Sequence, residues 1–305
     1  MRKILTIIGV VILSLAIVVG VGQWMTSNQG THGPGGPTPP DKTQAENPPG
    51  CSAYELIAIP GTWESRADDD PMNPTANPNS LLLTMTNPLK GEFKEDQLKV
   101  WTVPYTAQFR NINALQEMSY DDSRNEGKSR ASEELRATHT ACPATHFIML
   151  GFSQGAVIAG DLASDIGQGR GSVPAESIAG VTLIADGRQE DGVGKLVGNK
   201  ANKGVGAEIA LNPVSGIIQP IVPGATMRGP RPGGFGELND RVNNLCAPSD
   251  HVCDAPRDLG NAIQRAQDLI TNNAVHAQYA TNPNVVPGET TPEWVISWVR
   301  GLING

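Results

Sequence analysis

Residues 146–163 read HFIMLGFSQGAVIAGDLA. Four apolar residues, Phe147 to Leu150, run into Gly151-Phe152-Ser153-Gln154-Gly155, a G-x-S-x-G pattern that continues as a small-residue apolar stretch. In that pattern a buried strand turns abruptly into a helix and lifts a serine hydroxyl to the crest of the turn. The geometry explains the glycines. Side chains at the flanking positions would collide with the neighbouring strand and helix, and the serine itself takes a strained backbone. The stretch predicts a strand over 147–150, a helix over 154–166, and Ser153 as a candidate nucleophile.

Working outward, YELIAI (Tyr54–Ile59), LKVWTV (98–103) and IAGVTLIA (178–185) read as further strands. Helical stretches cover 120–140 and 257–271, and a last helix opens with Thr291 as N-cap, Pro292 in the first turn and Glu293 after it. On that helix Trp294, Val295, Trp298, Val299 and Leu302 share one face, the pattern of a core-packing stripe. Strands alternating with helices predict an α/β fold with a mostly parallel sheet covered on both faces. Residues 186–245, rich in Gly and Pro with brief apolar patches, resist assignment. A loop of that length is usually functional or mobile, so it is a candidate lid or lipid-contacting insertion, with a surface excursion as the alternative.

The chain has 305 residues, enough for one large α/β domain. A formal net charge of -8 argues against a nucleic-acid partner, which requires a basic face. Arg2 and Lys3 precede an apolar run from Ile4 to Val21, nearly long enough to span a bilayer. No A-x-A ends that run and no cysteine follows it closely, which favours an uncleaved signal-anchor over 1–25 rather than a cleaved leader. Residues 26–50, without apolar periodicity and rich in Pro and Gly, read as a flexible stalk. The folded domain is then expected over 51–305, outside the cytoplasm.

Four cysteines fit an exported chain: Cys51, Cys142, Cys246 and Cys253. Three pairings exist in principle. Cys246 and Cys253 are close enough to clip a short loop, which leaves Cys51 with Cys142. In the chain-entropy view the short clip is worth roughly 2.5 kcal/mol and the long one roughly 4.6 kcal/mol. A zinc site would want C-x2-C-type spacing or nearby histidines, which makes the metal alternative the poorer one.

A serine hydroxyl needs an imidazole to take its proton, and the imidazole needs a carboxylate to fix its tautomer. Of five histidines, His32 lies in the stalk, His139 in a charged helix and His146 at the wrong end of the nucleophile strand. His251 and His276 remain, both compatible with the chain order serine, acid, histidine, and His276 is preferred because it follows a helix and lies in AVHAQYATN, a plausible loop position. Two acids qualify. Asp186 ends the strand after the nucleophile helix, whereas Asp250 sits inside CAPSDHVC, where a cross-linked loop would hold it steady. Asp250 is the preferred acid, Asp186 the fallback, and His251 a loop residue. The developing oxyanion needs two donors: the backbone N–H of Gln154 and a group from the loop Pro60-Gly61-Thr62-Trp63-Glu64.

Taken together these pieces resemble the cutinase family of serine esterases. The resemblance rests on Cys51, Gly61-Thr62-Trp63-Glu64, Cys142 eleven residues before Ser153, the pattern Cys246 to Asp250 to Cys253, and the downstream His276. It implies an α/β-hydrolase fold, a Ser153-Asp250-His276 triad, and an oxyanion hole of Thr62 and Gln154. It also implies disulfides Cys51–Cys142 and Cys246–Cys253. Pro60 stands where the family usually has Arg, and the 186–245 segment is enlarged. With the anchor, IPGTWES and SYDDSRNEGKSRASEEL, the chain is similar to anchored cutinase-like lipases of mycolic-acid-bearing actinobacteria, described as envelope phospholipases and thioesterases.

The sequence therefore predicts a monomeric envelope enzyme that cleaves lipid acyl esters or thioesters, held to the membrane by its N-terminus and using no metal or organic cofactor. An acyltransferase with the same triad and a non-catalytic envelope-binding protein are the alternatives. ADDDP, at 67–71, reads as an acidic solvated loop rather than a calcium site. Trp63 either lines the acyl site or packs on the sheet edge.

Overall fold

The computed structural model describes residues 46–199, 201–258, 260–271 and 274–305. The expected anchor and most of the expected stalk lie outside the described residues. Among the described residues, no helix is long and apolar enough to cross a membrane.

Among the described residues six strands form one sheet: β1 (Tyr54–Ile59), β2 (Leu98–Thr102), β3 (His146–Phe152), β4 (Ile178–Ile184), β5 (Lys195–Val197) and β6 (Val242–Leu245). Their order is β2-β1-β3-β4-β6-β5 and every pairing is parallel. Side chains alternate across the pleat, so consecutive residues of one strand feed two different cores. Ile57, Ile59, Phe147 and Met149 pack on one face, against α2 (Tyr120–Ala141) and α3 (Gln154–Gly167). Leu56, Ala58, Ile148 and Leu150 pack on the other, against α1 (Leu83–Glu92) and α5 (Thr291–Asn304). Because both faces are covered, the strands read as continuous apolar runs.

The chain leaves β1 through α1 to β2 on one side and returns through α2 to β3 on the other. Strand order therefore reverses between β1 and β3. In open parallel sheets a crevice opens at such a switch point, at the carboxyl ends of the strands. Ser153, directly after β3, and the loop after β1 meet there.

Several boundaries differ from the sequence reading. The N-cap of α5 is Thr290 rather than Thr291, in a reciprocal capping box with Glu293. The helix expected over 257–271 is α4 (Ala262–Thr271), because Asn261, at φ 58°, keeps the chain before it in a turn. The folded body starts ahead of Cys51: Asn47 accepts from the Ala144 amide at 2.8 Å and donates to Thr145 at 3.2 Å. Both disulfides form as expected, Cys51–Cys142 and Cys246–Cys253.

The 186–245 segment is not a single loop. It supplies β5, β6 and a helical turn, Ala207–Ala210. Three of its arginines are bolted to α3. Asp161 accepts from Arg188 and Arg231 at 2.9 Å each and also from Arg228, while Arg231 bonds Asp186 at 2.6 and 3.0 Å. Burial pushes the Asp161 carboxyl up, but the fields of Arg231, Arg228 and Arg188 outweigh it and hold it well below its ordinary value. The remaining part, 211–227, builds a small apolar core of its own, with Leu211, Ile218, Val222 and Met227 against Ala262 and Ala266 of α4.

At the amino end of the sheet, Glu55 of β1 is fully buried, 2.7 Å from Lys99 of β2, and Lys99 also bonds Glu134 of α2 at 2.6 Å. Burial outweighs the Lys99 bond and pushes the Glu55 carboxyl up to about 7.

Candidate active site

Ser153 sits at φ 54°, ψ -119° between β3 and α3, a backbone few residues other than glycine adopt. Its neighbours make the turn possible. A Cβ on Gly151 would lie 2.4 Å from the Gly155 carbonyl, and one on Gly155 would lie 1.9 Å from the Ile59 carbonyl. Both positions demand glycine, as the motif implied. The second contact also presses the start of α3 against the loop that follows β1.

His276 reaches Ser153 from a short helical segment, Ala274–Gln278. Its Nε2 is 2.9 Å from Ser153 Oγ and its Nδ1 is 2.9 Å from Asp250 Oδ2. An ionised carboxylate only accepts, so Nδ1 carries the proton and Nε2 is left to accept from the serine hydroxyl. Asp250 is fully buried, and the Val252 amide donates to its Oδ1 at 3.0 Å. The Phe152 ring stacks on the imidazole with centroids 5.0 Å apart. The sequence-predicted Ser153, Asp250 and His276 thus come together in one hydrogen-bonded line. The fallback acid Asp186 is committed to Arg231 instead.

One partner went unnoticed in the sequence. The Tyr279 hydroxyl donates to the same Asp250 Oδ2 at 2.8 Å and accepts from the Ala247 amide at 2.9 Å. Burial and then the Asp250 charge push that hydroxyl well above its ordinary value, so it remains a donor. Its position three residues after His276, just past the end of the same short helical segment, is the signal that would have found it.

Across the crevice, Thr62 donates from Oγ1 to the Gln154 side-chain carbonyl at 3.2 Å, and Gln154 Nε2 donates to Ser123 at 3.0 Å. The two sequence-predicted oxyanion residues are therefore adjacent, and Gln154 opens α3, where the first amides have no intrahelical acceptor. Glu64 braces the loop: one carboxylate oxygen accepts from the Gly61 amide at 3.0 Å, the other from the Leu81 amide at 2.8 Å. Burial nonetheless raises the Glu64 carboxyl above its ordinary value.

A cavity of about 480 Å³ opens over Ser153 and His276. Phe109, Val157, Met227, Leu269 and Ile270 make one wall apolar, while Glu64, Asn77 and Asn79 lie on the side of the Thr62 loop. Trp63 is exposed at the rim and lines the cavity rather than packing on the sheet edge. In 67–71, Asp69 is buried and ties its own loop by accepting from the Thr75 and Ala76 amides. Among the described residues no three His, Cys, Asp or Glu side chains group as a metal site.

The model of the cutinase family matches residues 75–282 of this chain. A carboxylesterase Culp6 homolog from Corynebacterium glutamicum is 55% identical over 308 residues, spanning 100% of this chain and 99% of the relative. The chain belongs to the cutinase family. Among solved structures, a cutinase-like protein from Cryptococcus sp. superposes with a TM-score of 0.51 at 20% identity, covering 86% of this chain and 99% of its own. An acetylxylan esterase superposes with a TM-score of 0.50 at 14% identity, covering 83% and 99%. At such identities the two structures speak for the α/β-hydrolase fold of cutinase type. Within this cutinase-family chain, Ser153, Asp250 and His276 fall inside the matched residues, whereas the Thr62 loop and Cys51 precede them.

Proposed function

We propose that the protein is a serine carboxylesterase that cleaves acyl esters of lipids. The observation that carries this reading is the line Asp250–His276–Ser153, with both contacts at 2.9 Å, beneath a largely apolar cavity. His276 Nε2 takes the Ser153 proton as Oγ attacks the acyl carbonyl, and Asp250 stabilises the resulting imidazolium. The Gln154 amide and Thr62 face the developing oxyanion. The imidazolium protonates the departing alcohol, leaving an acyl-enzyme that water, activated by the same imidazole, resolves. The kinship with a carboxylesterase homolog supports this chemistry.

Phospholipids and acyl thioesters are the finer substrate classes we assign to the same site, on the strength of the resemblance set out above. We also propose that the enzyme works outside the cytoplasm, tethered by its apolar N-terminal run; the two disulfides support an oxidising location. The test is the full chain beside its Ser153→Ala variant, offered phospholipids, neutral acyl esters and acyl thioesters, with released fatty acids counted by mass spectrometry. Ser153-dependent release supports the esterase, and the ranking of substrates assigns the class. A folded protein that releases no acid, and whose Ser153 ignores a fluorophosphonate, would sink the proposal in favour of a binding role.

A further inference from the structure

The apolar wall of the cavity is interrupted at one point. Tyr120, the first residue of α2, and Glu208, in the helical turn Ala207–Ala210, both line it, among Phe109, Val157, Met227 and Leu269. Glu208 is only 3% exposed, so its carboxylate belongs to the interior of the cavity rather than to its mouth. A charge in such a wall is costly unless hydrogen bonds offset its lost hydration.

The protons around it are all committed. The Tyr120 hydroxyl donates to Glu208 Oε1 at 2.8 Å. Arg228 donates to Oε1 from Nη2 at 3.0 Å and to Oε2 from Nε at 2.8 Å, while its Nη1 is turned to Asp161. Burial, and then the Glu208 charge, push the Tyr120 hydroxyl well above its ordinary value, so it keeps its proton. Among the described residues no donor reaches the Tyr120 oxygen, and Oε2 accepts from Arg228 alone. A phenol oxygen and a carboxylate oxygen can each accept more than that. The pair therefore offers the cavity acceptor capacity and no free proton.

Fastening the 186–245 segment to α3 accounts for Glu208, Arg228 and Asp161, but not for the phenol. A phenylalanine at 120 would keep the edge-on contact with Phe109, centroids 5.5 Å apart, and the Arg124 guanidinium 5.2 Å from the ring. Tyr120 also lies beside the reacting end: its carbonyl is 3.5 Å from Nε2 of Gln154, the neighbour of Ser153.

We infer that Tyr120 and Glu208 form a subsite for a hydroxyl carried on the acyl chain of the substrate. That hydroxyl donates to the Tyr120 oxygen, whose own proton stays on Glu208. A keto oxygen at the same carbon would face acceptors only, and a hydroxyl at any other carbon would be buried against apolar side chains. The subsite deepens the serine-esterase reading and rests on it for its purpose, but binding there does not require turnover.

The test measures binding first, to the full chain carrying Ser153→Ala, by displacement of an apolar fluorescent dye from the cavity. The probes are methyl dodecanoates with one hydroxyl at successive carbons, and the matching oxo series, so that chain length stays fixed. One hydroxyl position should bind at least about ten-fold more tightly than the other positions, as expected where a site is built to pair a hydroxyl, and the oxo series should show no advantage at that carbon. Equal affinity along the hydroxyl series, or the same preferred carbon in the oxo series, overturns the proposal without any change at the subsite. Adding Tyr120→Phe should flatten the hydroxyl series to within about two-fold; a folded variant that keeps the peak also overturns it. Moving the hydroxyl to the alcohol, in 2-hydroxyethyl and 3-hydroxypropyl dodecanoate, should give no Tyr120-dependent gain over the methyl ester. Such a gain would place the subsite at the leaving group and contradict the proposal. In the active chain the preferred carbon should also lead in kcat/KM. A binding peak without Ser153-dependent turnover of any ester would refute the esterase reading and support the subsite.

Discussion

Replacing Glu55 with glutamine should stabilise the fold, and increasingly so as the solution becomes more alkaline. Glu55 is wholly buried on β1, and Lys99, its only nearby cation among the described residues, is shared with Glu134. Burial lifts its carboxyl from 4.5 to about 7. The folded state thus holds this proton more tightly than the unfolded chain does. The associated stability is present below about 4.5 and is lost as pH rises through 7. Fully developed, the loss is about 3 kcal/mol, and about 1.5 kcal/mol of it falls between pH 6 and pH 9. A glutamine there would keep the shape without the charge, and Lys99 would keep Glu134. At 2–4 °C per kcal/mol for a domain of this size, the melting temperature of Glu55→Gln should gain about 3–6 °C on the parent between those pH values. Differential scanning fluorimetry of the two proteins across that range measures the gap. Curves that run parallel from pH 6 to pH 9 would show that Glu55 is already ionised at the lower value, and the reasoning from burial would fail.

Tyr279→Phe removes a hydroxyl that shares Asp250 Oδ2 with His276. It also leaves the Ala247 amide without its acceptor and should cost about 1–3 kcal/mol of stability in denaturant titration. A stability equal to the parent's would show that the hydroxyl carries no weight in holding the Asp250 loop. Gly155→Ala has no room, with its Cβ 1.9 Å from the Ile59 carbonyl, and should cut esterase turnover more than about a hundred-fold. Gly91→Ala meets nothing within 4 Å on α1 and should raise the melting temperature, by up to about 1 kcal/mol of added stability. Asp161→Asn removes the carboxylate that Arg188, Arg228 and Arg231 share, leaving Arg228 with Glu208 and Arg231 with Asp186, and should destabilise by about 3–5 kcal/mol in denaturant titration.

Much of the site was legible in the sequence because its constraints are local. Gly151 and Gly155 stand at turn positions that admit no side chain, Cys246 and Cys253 bracket their acid, and chain order sets His251 and His276 apart from the other three histidines. What escaped was set by distant neighbours. β6, Val-Asn-Asn-Leu, is half polar and becomes a buried strand only because β4 and β5 flank it and Asn244 donates to the Val193 carbonyl at 3.0 Å. α1 carries Pro88 and little amphipathic pattern, so its helical state depends on packing against α5. The apparent lid over 186–245 is anchored by three arginines whose partners lie on α3 or elsewhere in the segment itself, a pairing no short-range pattern announces.

The all-parallel sheet also gives the domain two unlike poles. Asn47 is fastened at the Ala144 and Thr145 end of β3, where the described chain begins, whereas Ser153 caps the opposite end of that strand. Seven strand residues at about 3.3 Å each put roughly 23 Å between them. A short handle ahead of Glu46 would therefore present the mouth outward, so an enzyme immobilised on a bead or electrode through its N-terminal side should keep its substrate access, while coupling at the Trp63 rim should block it.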